Sequence, residues 1–315
     1  MLRAFKMDKL ITVWRSGAVG DFVLTLPALT ALRKFAQGTP IRIVAQAATS
    51  PLFEADVSIN SNSNDLAPLY SPDLLPHPFF DQSSLLLVYG KPEGPLFEKA
   101  RMHLGDQALF WDPMPPQKSK DHITDHLLKP LENLIDLHEV DRRPAIRLQP
   151  SELVEARDPH LIPTVLVHPG SSSPTKSWPL EKFVQWARQL SKEGIDVGFI
   201  RGPVERERGV ELPNDLFSFS PPNLRTLAAT LAQTQLFVGN DSGPGHIAAA
   251  VGTATLSLFG PTDPAIWSPR RETSRCLVAP QGNLQELSVE HVLEATMHVL
   301  EATRQLRCRV SRPYF

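Results

Sequence analysis

Three stretches of the chain concentrate side chains able to move a proton or hold an anion: SGAVGD at 16–21, HPGSSSPTK at 168–176 and NDSGPGH at 240–246. In the first, Gly17 and Gly20 bracket a tight turn and Asp21 stands where a helix should begin. A carboxylate there caps its own helix or, at the mouth of a crevice, acts as general base toward an attacking hydroxyl. In the second, a strand should run into Gly170 and the serines Ser171, Ser172 and Ser173, with Lys176 just ahead of Trp178 and Pro179. Amides of such a turn, hydroxyls and one ammonium together cradle a phosphate; a solvated serine-rich loop is the alternative. Trp178 reads as packing rather than as a stacking platform.

In the third stretch Ser242 and Gly243 precede a helix start near Pro244. Unpaired N–H groups and the positive end of the helix dipole then face whatever occupies the turn, which suits a pyrophosphate. Asp241 would repel a phosphate placed directly against it, and is better suited to accepting hydrogen bonds from sugar hydroxyls or orienting the turn. His246 lies too far round the helix to share a face with Asp241. No second histidine or carboxylate follows at ligand spacing, so the pattern predicts no metal site. His246 reads either as a ligand contact or as an ordinary partly buried histidine. A fourth signal is Glu205 in GFIRGPVERER, just after a strand, where acids of α/β sites accept ribose hydroxyls; a solvated charge run is the competing reading. GAVG lacks the third glycine of a dinucleotide fingerprint, and no Walker lysine follows.

These stretches need elements to hold them. LITVWR (10–15) reads as a buried strand, SGAVGD as a turn and FVLTLPALTALRKFA as a helix. IRIVAQ (41–46), SLLLVYG (84–90) and ALFWD (108–112) are further strands, and HITDHLLKPLENL (122–134) a helix. The Ser-, Asn- and Pro-rich stretch 58–78 has no usable period and is expected to be irregular loop. The stretch 142–163 mixes prolines with charges, as a connection between domains does.

The pattern then restarts. TVLVHPG (164–170) leads into a helix opened by Pro179, with Phe183, Trp186, Ala187 and Leu190 on one face. IDVGFIRG (195–202), QLFVGN (235–240) and TATLSLFG (253–260) are strands; 223–234, 244–252 and 288–307 are helices. The alternation predicts α/β architecture: two Rossmann-like domains, 1–155 and 156–315, facing across a crevice, the last helix free to pack back on the first domain.

Composition narrows the partners. Thirty-four acidic against 32 basic residues give a net charge of -2, so no global field recruits nucleic acid or membrane. The two cysteines follow neither a zinc or redox spacing nor a disulfide scaffold. The first residues hold no apolar signal segment, and nowhere do 18 apolar residues run together, so a cytoplasmic location is expected.

The order of the motifs is more specific than any one of them. GAVGDFVLTLPAL, HPGSSSPTKSWPLEKF, GPVE and GNDSGPGHIAAAVGTATLSLFGPTDP resemble glycosyltransferase family 9, the ADP-heptose:lipopolysaccharide heptosyltransferases, over nearly the whole chain. The resemblance implies a B-type glycosyltransferase fold, with the acceptor held by the first domain and the nucleotide sugar by the second. It implies Asp21 as catalytic base, with Gly17 and Gly20 forming the acceptor-side turn. Ser171, Ser172, Lys176, Glu205, Asp241, Ser242, Gly243 and His246 would be the donor-binding residues.

The implied reaction is inverting transfer of heptose from ADP-heptose to a sugar hydroxyl of a lipopolysaccharide-core-type glycolipid or oligosaccharide, with no cofactor and no metal. A non-catalytic ADP-sugar-binding protein and a nucleotide-sugar epimerase of the same fold are the alternatives. The C-terminal RQLRCRVSRPYF carries Arg304, Arg307, Arg309 and Arg312 with Tyr314 and Phe315, which suits either peripheral contact with an inner membrane or a solvated end.

Overall fold

The computed structural model describes residues 9–73, 77–156, 162–171, 173–202 and 212–310, with side chains as far as 306. They form two compact units, Met1–Arg143 and Pro144–Phe315.

The first unit is built on five parallel strands: β1 (Leu10–Arg15), β2 (Ile41–Ala45), β3 (Val57–Asn60), β4 (Ser83–Tyr89) and β5 (Ala108–Trp111). Their order is β3-β2-β1-β4-β5. Chain order reverses between β1 and β4, and the carboxyl ends of strands at such a switch point are where α/β sheets bind ligands. The helices are α1 (Val19–Phe35), α2 (Pro78–Asp81), α3 (Pro95–Leu104) and α4 (Ile123–Leu128), with α1 packed on α4. Pro130 cannot continue the expected helix beyond its first turns, and Lys129–Leu131 tightens to a 3-10 turn.

The stretch 58–78 is not the irregular loop that its composition suggests. Val57–Asn60 is a mostly exposed edge strand paired with β2, and Asn64–Tyr70 is a 3-10 helix that buries Leu66 and Leu69 in the core. Its polar residues face outward, which hid two anchors spaced three apart. At the opposite end of the sheet Arg42 is buried without a carboxylate partner among the described residues. It donates to Thr12 Oγ1 (3.1 Å), Gln82 Oε1 (2.8 Å), Phe79 O (2.8 Å) and Ser83 Oγ (2.9 Å), and stacks on Phe79. Burial lowers its pKa to about 10.

In the second unit the strands are β6 (Val165–His168), β7 (Val197–Ile200), β8 (Ser218–Phe219), β9 (Leu236–Asn240), β10 (Ala254–Phe259) and β11 (Ser274–Val278), all parallel, in the order β11-β10-β9-β6-β7-β8. Its switch point lies between β6 and β9. The helices are α5 (Pro150–Glu155), α6 (Leu180–Lys192), α7 (Leu224–Gln233), α8 (Gly243–Val251), α9 (Pro264–Trp267) and α10 (Val289–Val310). The apolar face expected on α6 is buried as read: Phe183, Trp186, Ala187 and Leu190 join Trp178 in the core, each large side chain contributing roughly 1.5–3 kcal/mol.

The units divide at 143/144, inside the expected connection 142–163 and ahead of the expected domain boundary at 155/156. Residues 144–156 are folded onto the second unit. Ile146 N donates to Ala250 O (3.1 Å), and Glu152 on α5 makes a two-pronged pair with Arg225 on α7. Helix α10 packs on α6, β9, β10 and β11 of its own unit.

Candidate active site

Asp21 stands at the carboxyl edge of the first sheet because β1 ends at Arg15 and α1 begins four residues later. Its Oδ2 accepts the Ala18 amide at 3.0 Å, so the capping geometry is present. Its Oδ1 lies 3.2 Å from Arg15 Nη2, the two side chains being 39% and 6% exposed. The turn must be tight and bare: a Cβ at Gly17 would come within 2.7 Å of both the Cβ and Oδ2 of Asp21. Gly20 lies in the first turn of α1, one residue before Asp21. Behind the pair, the Arg15 guanidinium lies 5.8 Å from the ring centre of Tyr89, the last residue of β4. Tyr89 donates its hydroxyl to Leu127 O at 2.6 Å. Burial lowers the Arg15 pKa, against the raising effect of Asp21 and Tyr89.

In the second unit the loop after β6 and the turn after β9 lie side by side because β6 and β9 pair in parallel. Lys176 ends the 3-10 turn Pro174–Lys176 and brings Nζ to 3.5 Å from Asp241 Oδ2, with side-chain exposures of 30% and 11%. The same carboxylate oxygen accepts Thr262 Oγ1 at 2.8 Å. Ser171 is buried, and its hydroxyl is committed to the loop itself, 2.6 Å from Ser173 O and 2.9 Å from Ser177 Oγ. Ser242 is the N-cap of α8 and Gly243 its first residue. The Ser242 Oγ is buried with no hydrogen-bond partner among the described residues. His246 is buried one turn into α8. Ser172 and Glu205 lie outside the described residues.

Some residues escaped the sequence reading. Asn240, fully buried, donates to Pro169 O (2.7 Å) and accepts the Trp178 amide (2.9 Å), riveting the lysine loop to the α8 turn. The signal was a lone amide closing an apolar strand. Arg15 and Thr262 gave no signal beyond their proximity to quoted motifs. Trp178, with Nε1 donating to Leu287 O, is core packing as read. Among the described residues no three His, Cys, Asp or Glu side chains are gathered as a metal-binding group, and no helix is long and apolar enough to cross a membrane.

Comparison with known proteins matches residues 103–296 to the model of glycosyltransferase family 9 (heptosyltransferase). The chain belongs to that family. Lipopolysaccharide heptosyltransferase 3 of Escherichia coli (strain K12) is 33% identical over 138 residues, covering 41% of this chain and 40% of that relative. The chain thus spans about two fifths of the length of the curated relative it matches. Two solved structures share the fold along nearly the whole chain. The glycosyl transferase family 9 protein from Veillonella parvula DSM 2008 has a TM-score of 0.73 at 19% identity, covering 93% of this chain and 97% of that one. E. coli ADP-heptose lps heptosyltransferase II has a TM-score of 0.69 at 19% identity, covering 94% and 99%. The α/β family member described here therefore carries the two parallel sheets of a B-type glycosyltransferase fold.

Proposed function

We propose that this protein is an inverting glycosyltransferase that moves heptose from ADP-heptose to a sugar hydroxyl of a lipopolysaccharide-core acceptor. The observation that carries this reading is the convergence, at the second switch point, of Lys176, Asp241, the Ser171 loop and the open N-terminus of α8. Helix end and ammonium suit a diphosphate. The names of the relatives support heptose as the sugar, and the family supports transfer.

In the proposed reaction Asp21 takes the proton of the acceptor hydroxyl as its oxygen attacks the anomeric carbon, and the bond to the diphosphate breaks on the opposite face. Charge building on the departing ADP is met by Lys176 and the amides opening α8, a role fixed donors fill well in a dry site. Asp241, Ser242, Gly243 and His246 hold the donor, with Glu205 proposed for the ribose and Ser172 for the phosphates. The proposal requires no cofactor or metal. Its acceptor is a glycolipid or its oligosaccharide, met at the cytoplasmic face of a membrane, with Arg304 and the basic residues after it making peripheral contact with anionic lipid.

The test is incubation with ADP-heptose and lipopolysaccharide-core acceptors, with mass spectrometry of both products. Heptosylated acceptor plus ADP is the expected outcome. Binding of ADP-heptose with no transfer to any acceptor points instead to a sugar-nucleotide-binding protein, and a changed sugar nucleotide without acceptor to an epimerase. Loss of liposome binding on deleting residues 307–315 is expected; unchanged binding removes the membrane contact.

A further inference from the structure

The first unit's ion pair is built back to front for a surface salt bridge. The carboxylate is the exposed member, at 39%, and the guanidinium, at 6%, is enclosed behind it. A buried arginine is expensive to desolvate. Arg15 is the last residue of β1 and Tyr89 the last of β4, so both stand at the switch point where this sheet would meet a ligand. Arg15 is too enclosed to reach an acceptor itself. Its Nη2 reaches Asp21 Oδ1 at 3.2 Å, and its Nε points at the Asp21 carbonyl at 3.4 Å. Tyr89 forms the floor beneath the guanidinium and is tied to α4 through Leu127 O.

We infer that Arg15, braced by Tyr89, is a positioning residue for the proposed base: it aims the Asp21 carboxylate outward. The inference rests on the reading of Asp21 as general base. A base held in one orientation loses less on reaching the transition state. Two titratable groups on the neighbouring helix are engaged elsewhere. On α4, which lies against α1, Asp125 pairs with Arg142 at 2.7 Å, and His126 Nε2 stands 2.8 Å from Asp112 O and 3.2 Å from Trp111 Nε1.

The experiment compares wild type, R15K, R15M and D21N in steady-state transfer from ADP-heptose, with ADP titrations and thermal melts as controls. R15M is expected to lower kcat about tenfold and to leave KM for the sugar nucleotide unchanged. R15K should recover most of the lost rate. In a D21N background R15M should add no further loss, because an effect exerted through Asp21 vanishes with it. Y89L, which removes the floor and leaves both charges, should repeat the R15M pattern more weakly, and serves in its place should R15M fail to fold. An R15M protein that melts and binds ADP like wild type and keeps the wild-type kcat overturns the inference and leaves the transferase reading standing. A wild-type protein that binds ADP but transfers nothing overturns both.

Discussion

Each unit presents an ion pair at the carboxyl edge of its sheet, and these two pairs have opposite polarity. In the first unit the carboxylate of Asp21 is 39% exposed and the cation behind it 6%; in the second the ammonium of Lys176 is 30% exposed and the carboxylate behind it 11%. The first sheet thus offers a negative charge backed by a buried positive one, and the second the reverse. An outward carboxylate suits proton removal, and an outward ammonium suits a diphosphate. Two units of the same architecture have been given complementary chemistry by inverting which partner is enclosed.

The most severe way to break the comparison is to remove the outward charges. D21A should cost roughly a thousandfold in transfer, within the range for loss of a general base, while ADP titrates as in wild type. K176A should cost about a hundredfold and weaken ADP binding. Equal effects of the two on ADP affinity would mean that the polarity does not divide the work.

A second test concerns stability at the other end of the first sheet. R42M leaves the acceptors at Thr12, Gln82, Phe79 and Ser83 without their donor, and should lower unfolding free energy by about 3 kcal/mol in urea titrations without changing ADP affinity. A loss of transfer rate in the folded variant would show that this end of the sheet is coupled to the ligand edge.

A gentler perturbation is D241N, which keeps shape and removes the buried charge behind Lys176. About tenfold weaker ADP binding by calorimetry is expected if that carboxylate aims the ammonium. Tighter binding would make Asp241 a competitor for Lys176 instead.

The smallest expected effect lies in the connection between the units' sequences. Arg225 hydrogen bonding, opposed by desolvation, holds the Glu152 carboxyl below its ordinary 4.5. Because the folded value is the depressed one, this stabilisation is complete above pH 4.5 and is lost as pH falls through the folded value. E152Q should cost about 1 kcal/mol at pH 7 and progressively less as pH falls below 4.5, measured by thermal melts. A cost independent of pH would assign the effect to packing of α5.

Much of this was legible beforehand, because buried parallel strands and amphipathic helices announce themselves by period: LITVWR, TVLVHPG and the Phe183, Trp186, Leu190 face of α6 all fold as their patterns require. Other elements carried little local signal. Strand β11 alternates only partly buried residues, β8 is two residues long, and α3 opens after a glycine–proline step that reads as loop. Their conformation comes from strand pairing and packing against neighbours, which a local pattern does not contain.

The same division runs through the site. Residue type and order alone pointed to Asp21, Lys176, Asp241 and the Ser242–Gly243 helix start, since few side chains can take a proton or meet a diphosphate and each stood at a strand or helix end. Lys176 and Asp241 are 65 positions apart, and only the parallel pairing of β6 with β9 joins them. The rivet at Asn240, the tyrosine floor under Arg15 and the choice of which charge in each pair is buried likewise depend on long-range packing. Burial is a property of the folded neighbourhood, and it is burial that decides whether a unit shows its surroundings an acid or a cation.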